Sequence, residues 1–245
     1  MKKSFATGLV LLVLIGGAAF AQQAADADRP STIEDVFLRQ QIEMQILASQ
    51  ARSSERESKL TALETVRKMY ESGDLQAAPE TFDIITLLAT EGTSNQVRQA
   101  GRVINNYPVV RKEAAALLGD VGGPQAQNVL LTMVREDPEP MVLAEAIYAL
   151  GKIGPQENAD MVGDHIVYTL TRENAKISPD NNLALATLLA LQKLFDQGME
   201  FEDPGQLQDT VGLIIDISTN YRYISIVRDR ARDVLARLSG TAEDE

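Results

Sequence analysis

Val110-Arg111-Lys112-Glu113-Ala114-Ala115-Ala116-Leu117-Leu118-Gly119-Asp120-Val121-Gly122 is the stretch whose reading decides the fold. It recurs as Val142 to Gly154, a step of 32 residues from 110 to 142. Identical residues stand at 110/142, 113/145, 114/146, 118/150, 119/151 and 122/154, and Val121 meets Ile153. Two looser copies follow. Leu183 to Leu191 sets Leu183 on Val142 and Leu191 on Leu150, and Val227 to Leu235 aligns with Val110 to Leu118. The successive steps, 110 to 142 to 183 to 227, are 32, 41 and 44 residues. A period of this length is the signature of a stacked supersecondary unit.

The copies carry helix punctuation at their ends. Pro108, the run Asp137-Pro138-Glu139-Pro140 and Ser178-Pro179-Asp180 come just before copies. Proline fits the first helical turn and blocks the helix before it, while acidic residues favour the helix N-terminus. Gly122-Gly123-Pro124 and Gly154-Pro155 come just after, and glycine followed by proline ends a helix. Each copy is therefore one helix, and another helix fits between it and the next. Ala114, Ala146 and Ala231 hold equivalent positions, with Leu118, Leu150 and Leu235 a turn later. The small residue lets helices approach and the leucine fills the groove. One such pair cannot bury its apolar face alone, so neighbours must stack.

VRKEAAALLGDVGGPQA and VLAEAIYALGKIGPQE resemble the second helix and following turn of HEAT repeats, with DPEP as the break inside a repeat. The resemblance runs from about Val97 to Pro155 and more loosely to Leu238. It implies an all-α fold, a right-handed α-α superhelix forming a HEAT-like solenoid with two helix layers. It also implies structural duties for Arg111 and Arg228, bonded to an acidic residue or to backbone of the same or next repeat. Leu143 replaces that arginine in the second copy, and the polar stretch Gln156 to Ser178 is unusual for a packed helix. Both departures predict a local irregularity in the stack.

Upstream, Ser31-Thr32-Ile33-Glu34 forms a capping-box pattern. Apolar residues then recur at helical spacing from Ile33 to Leu47 and from Leu60 to Met69, with a weak point at Ser53-Ser54. Ser72-Gly73-Asp74 stops the second run, and a further short helix is expected between Ala77 and Thr90. The organisation expected is a signal peptide over 1–21, a flexible leader over 22–30, N-terminal helices over 31–92 (degenerate repeats or a cap), repeats over 93–240 and a disordered acidic tail over 241–245.

The export reading rests on Lys2-Lys3, the apolar run Leu9 to Phe20, and Ala19-Phe20-Ala21 before Gln22. That run falls short of the roughly 20 residues that span a bilayer. Cleavage moves the formal charge from −12 to −14, through loss of Lys2 and Lys3. A periplasmic or secreted protein without stable membrane insertion is expected; a retained N-terminal anchor is the alternative. Without any cysteine, the chain has no lipidation site, disulfide or thiol-bound metal. Its acidity opposes binding to nucleic acid or anionic lipid, which require phosphate neutralisation.

Catalytic patterns are scarce. His165 is the only histidine and lies among apolar residues at helical spacing. There is no nucleophile elbow, P-loop or dinucleotide fingerprint. Gly119 to Gly123 reads as the turn between repeats. The acidic runs Glu136 to Glu139 and Glu200 to Asp203 lack the alternating ligands and glycine of a calcium loop. No catalytic residue, metal or cofactor is expected. Tyr221-Arg222-Tyr223, in the turn before the last helix, is the candidate binding cluster, because Tyr and Arg are enriched at binding hot spots. The expected function is a non-enzymatic scaffold or adaptor for protein partners in the bacterial envelope. A self-associating structural component of an envelope assembly is the alternative, and an enzyme of HEAT-like type fits less well.

Overall fold

The computed structural model describes residues 33–73, 80–156, 159–199 and 204–239; the segments expected to be signal peptide, leader and acidic tail, and the run Glu200 to Asp203, lie outside them. Two compact units divide the chain between Gln45 and Ile46. In the first, the described residues are the start of helix α1 (Ile33–Arg52), where Leu38 and Ile42 are exposed. The second holds the rest of α1 and all that follows: α2 (Arg56–Ser72), α3 (Glu80–Ala89), strands β1 (Arg98–Gln99) and β2 (Arg102–Val103), then α4 (Pro108–Val121), α5 (Gly123–Glu136), α6 (Pro140–Ile153), α7 (Ala159–Asn174), α8 (Asn181–Asp196), α9 (Pro204–Thr219) and α10 (Ser225–Leu238).

The repeat predicted from sequence is the repeat observed. The four copies are α4, α6, α8 and α10, and each packs on the next. With α2 they form one layer; α3, α5, α7 and α9 form the other, and each lies against the second-layer helix of its own pair. This is an all-α repeat solenoid with one small hairpin. Pro108 and Pro140 sit in the first turns of α4 and α6, as their missing N–H groups allow. Asp180 caps α8 by accepting from the N–H groups of Asn182 and Leu183 at 2.8 and 2.9 Å. Ser53 and Ser54 mark a true break, since α1 ends at Arg52 and α2 starts at Arg56.

Ala114, Ala146, Ala231, Leu118 and Leu150 are all fully buried, which confirms the register of the alignment. The structure corrects one detail. Gly119 is not in the turn but inside α4, and only Gly122 separates α4 from α5. A Cβ on Gly119 would lie 2.8 Å from Ala149 Cβ, and one on its repeat equivalent Gly151 would lie 2.5 Å from Ala190 Cα. These glycines therefore set the approach of α4 to α6 and of α6 to α8.

Gly151→Ala is expected to destabilise the protein by about 1–3 kcal/mol through overpacking. That outweighs alanine's helix-propensity gain of up to ~1 kcal/mol. Gly212, on α9, has nothing within 4 Å of an added Cβ. Gly212→Ala is expected to stabilise by roughly 0.5–1 kcal/mol for the same propensity reason. Urea unfolding of the two variants side by side checks both signs. A Gly151→Ala protein as stable as wild type would mean that α6 and α8 lie further apart.

The hairpin is the element an all-α reading misses. Arg98 pairs with Val103 and Gln99 with Arg102 around the turn Ala100-Gly101. Both turn residues have positive φ, 49° and 79°, the requirement of the tight hairpin turn that matches strand twist. The near-mirror sequence Val97-Arg98…Arg102-Val103 with Gly101 between was its only trace. Its base is held by the Ile104 N–H on the Val97 carbonyl at 2.9 Å and by Asn105, whose side chain accepts from the Val97 N–H and donates to the Asn95 carbonyl.

Candidate protein-binding surface

A binding surface on a repeat stack must be ordered before it can select a partner, so the fastenings come first. Arg111 is fully buried. Its Nε donates to Asp137 Oδ2 at 2.6 Å and a second guanidinium nitrogen donates to Oδ1 at 3.2 Å. The third nitrogen donates to the Glu91 carbonyl at 3.1 Å and to Asn106 Oδ1 at 2.8 Å. Asp137 Oδ1 also accepts from the Glu139 N–H at 2.9 Å, so one carboxylate ties two repeats and caps the break between α5 and α6. A second buried pair, Lys59 with Glu91 at 2.8 Å, anchors α2 to the same region, and Lys59 also donates to the Ala51 carbonyl. Arg228 donates to the Tyr223 carbonyl at 2.7 Å within its own repeat. The structural duty expected for both arginines is therefore observed, and with Leu143 and Ala184 buried in the second and third copies the arginine series skips two repeats.

The outer face of the second layer carries a further link. Asp120 of α4 accepts from Arg67 of α2 and from Lys152 of α6, and the Tyr70 hydroxyl donates to its carbonyl. Three successive helices meet at one residue. The charges are partly exposed, so each contributes at most about 1 kcal/mol; their effect is chiefly to fix orientation.

On that same face an open depression of about 350 Å³ lies along α6 and α8. Met141, Ala144 and Tyr148 form its α6 wall and Leu185, Ala186 and Leu189 its α8 wall, with Lys112, Glu145, Asp180 and Asn182 at the rim. Met141 and Tyr148 are exposed. The Lys193 ammonium stands 5.5 Å from the centre of the Tyr148 ring, which orients the ring by a cation–π contact. Burial pushes the Glu145 carboxyl above the ordinary range, and Lys112 only partly offsets it. A cation brought in by a partner would favour its charged form.

The sequence candidates separate on this framework. Tyr221 is 88% exposed, while Tyr223 is 1% exposed. Arg222 donates to the carbonyls of Lys176 and Asn174 at 2.7 and 3.3 Å, and so fastens the loop after α7 to the turn before α10. The Tyr223 hydroxyl finds no hydrogen-bond partner among the described residues. Its pKa is pushed up to about 12 by burial first and then by the nearby Glu173 carboxylate. Only Tyr221 is therefore presented to solvent as an aromatic contact. The structure adds Ile177, 94% exposed on the loop that Arg222 holds, and Ile224, whose N–H donates to Asn181 Oδ1 at 2.9 Å. Because Asp180 and Asn182 line the depression, that last bond places the Tyr221–Ile224 turn beside its α8 end. Neither Ile177 nor the depression had a local sequence signal.

Among the described residues no group of His, Asp and Glu is placed to hold a metal. Asp137 is engaged by Arg111, and Glu136 accepts from the Ser94 hydroxyl and from Arg135, which hold its carboxyl below the usual range. His165 is a partly buried residue of α7. No described helix is long and apolar enough to cross a membrane.

Fold and surface together define a helical-repeat protein with a fastened second layer and an apolar depression on it. Residues 103–169 match the family model of HEAT repeats, and the chain carries HEAT repeats over that span. HEAT repeats are, as a class, protein-interaction scaffolds. No curated protein matches the chain, and no solved structure does.

Proposed function

We propose that the protein is a non-enzymatic scaffold of the bacterial envelope that binds a protein partner along the α6–α8 depression. The observation that carries this reading is the apolar floor of Met141, Tyr148, Leu185 and Leu189 between helices that Gly151 and Ala190 hold in close contact. A rigid, apolar, polar-rimmed groove accepts the apolar face of a helix or an extended segment at small conformational cost. Tyr221, with Ile177 and Ile224, extends the contact beyond the α8 end, and aromatic residues so placed dominate binding energy. The envelope location rests on Lys2-Lys3 and the apolar run that ends at Ala19-Phe20-Ala21.

Capture of the tagged protein from crosslinked envelopes tests this, comparing wild type with the double variant Tyr148→Ala/Leu189→Ser. One or two recurrent envelope proteins are expected with wild type. Their recovery should fall about tenfold or more with the variant, the effect of losing ~1.4 kcal/mol or more of binding energy. Equal recovery with a variant that melts like wild type would remove the depression from the binding surface.

A further inference from the structure

A second depression opens on the other layer, between α7 and α9. Its volume is about 780 Å³, and Asp164 on the α7 wall and Asp209 and Asp216 on the α9 wall line it with Tyr168, Thr171 and Gln206. No lysine, arginine or histidine lines it, and none of the three carboxylates forms an ion pair among the described residues. Gly212 leaves its floor open. The α7 wall belongs to the polar stretch that departs from the repeat pattern.

The hairpin is its counterpart in charge and shape. Arg98 and Arg102 are both exposed, and neither forms an ion pair among the described residues. Facing residues of an antiparallel pair share one side of the ribbon. Arg98 faces Val103 and Arg102 faces Gln99, so the two guanidinium groups lie on opposite sides of a two-stranded wedge. The wedge is ordered at a cost, because Ala100 is held at φ 49°, a left-handed conformation unfavourable for a residue with a Cβ. No hairpin residue lines the acidic depression of its own chain.

We infer that the occupant of the α7–α9 depression is the Arg98–Val103 hairpin of a second copy of this chain, which inserts with one arginine toward each acidic wall. Such a contact joins two different surfaces, so it propagates head to tail into rings or open chains. It is independent of the α6–α8 reading, since it uses other helices on the other layer.

Sedimentation velocity of the purified full-length protein tests it in roughly 50 mM and 500 mM salt, because exposed charge pairs are screened as the Debye length shrinks. Concentration-dependent association is expected at low salt and should weaken about tenfold or more at high salt. Arg98→Glu/Arg102→Glu and Asp209→Lys/Asp216→Lys should each abolish chain growth while circular dichroism stays that of wild type. In a mixture of the two variants the basic hairpin of the second meets the acidic depression of the first, and the reversed pair (Glu at 98 and 102 against Lys at 209 and 216) is complementary as well, so mixed association should return although each variant alone stays monomeric. The Tyr148→Ala/Leu189→Ser protein should associate like wild type. A wild-type protein that stays monomeric at low salt, association that survives both charge reversals, or hairpin-dependent binding to anionic vesicles without self-association would overturn the inference.

Discussion

Arg111→Ala is expected to destabilise the protein by about 3–5 kcal/mol, the effect of leaving one member of a buried ion pair alone. The cost does not come from a lost attraction alone. Asp137 has a side chain only 1% exposed, and without Arg111 its carboxylate keeps one backbone N–H, from Glu139. The Glu91 carbonyl and Asn106 Oδ1 lose a donor at the same time. The double variant Arg111→Met/Asp137→Leu removes both charges, and well-packed apolar replacements of buried pairs are often close to neutral. It should recover much of the loss. Urea denaturation of the three proteins checks this. If Arg111→Ala unfolds like wild type, the guanidinium is not buried between repeats.

Leu118→Ala and Leu150→Ala are each expected to cost about 2–5 kcal/mol, the transfer of the lost carbons plus the cavity they leave. Both side chains are fully buried at equivalent positions of α4 and α6. Collapse of the cavity is hindered at both, because Gly119 against Ala149 and Gly151 against Ala190 already bring the helices to their closest approach. The equivalent Leu235 of α10 is only half-buried, at the end of the described stack. Leu235→Ala should therefore cost clearly less. Thermal and denaturant unfolding of the three variants gives the ranking. Three equal losses would show that the last repeat is covered like the inner ones.

The second layer was legible because its information is local and repeated. Leucine recurs at the same offset as Leu118, Leu150, Leu191 and Leu235 and alanine as Ala114, Ala146 and Ala231, while first-turn proline and closing glycine mark the first two copies, and together they locate α4, α6, α8 and α10. The structural role of Arg111 is also legible through the resemblance, whereas nothing in the sequence singles out Asp137, within the DPEP break, as its partner. Gly119 misled, since a glycine near the end of a helix reads as a cap, and only the distance to Ala149 reveals a close approach. The hairpin was hidden because two-residue strands leave almost no periodicity, and its Ala100 stands where glycine or asparagine would signal the turn.

The binding surface was least legible. Met141 and Tyr148 belong to one repeat and Leu185 and Leu189 to the next, so their convergence exists only after stacking. The Tyr221-Arg222-Tyr223 cluster shows the converse problem. Three adjacent residues took three fates, an exposed ring, a clasp on two carbonyls and a buried ring, because the turn rotates each side chain to a different environment.

Site-specific photo-crosslinking in intact cells tests the surface most directly. A photoreactive residue placed at Met141 or Leu189 samples the α6–α8 depression, while one at Gln125 or Arg135 samples exposed positions of α5 on the other layer. The account predicts adducts to the same envelope protein from positions 141 and 189 and none from 125 and 135. Adducts from α5 alone, or none from the depression while the protein is folded, would contradict it.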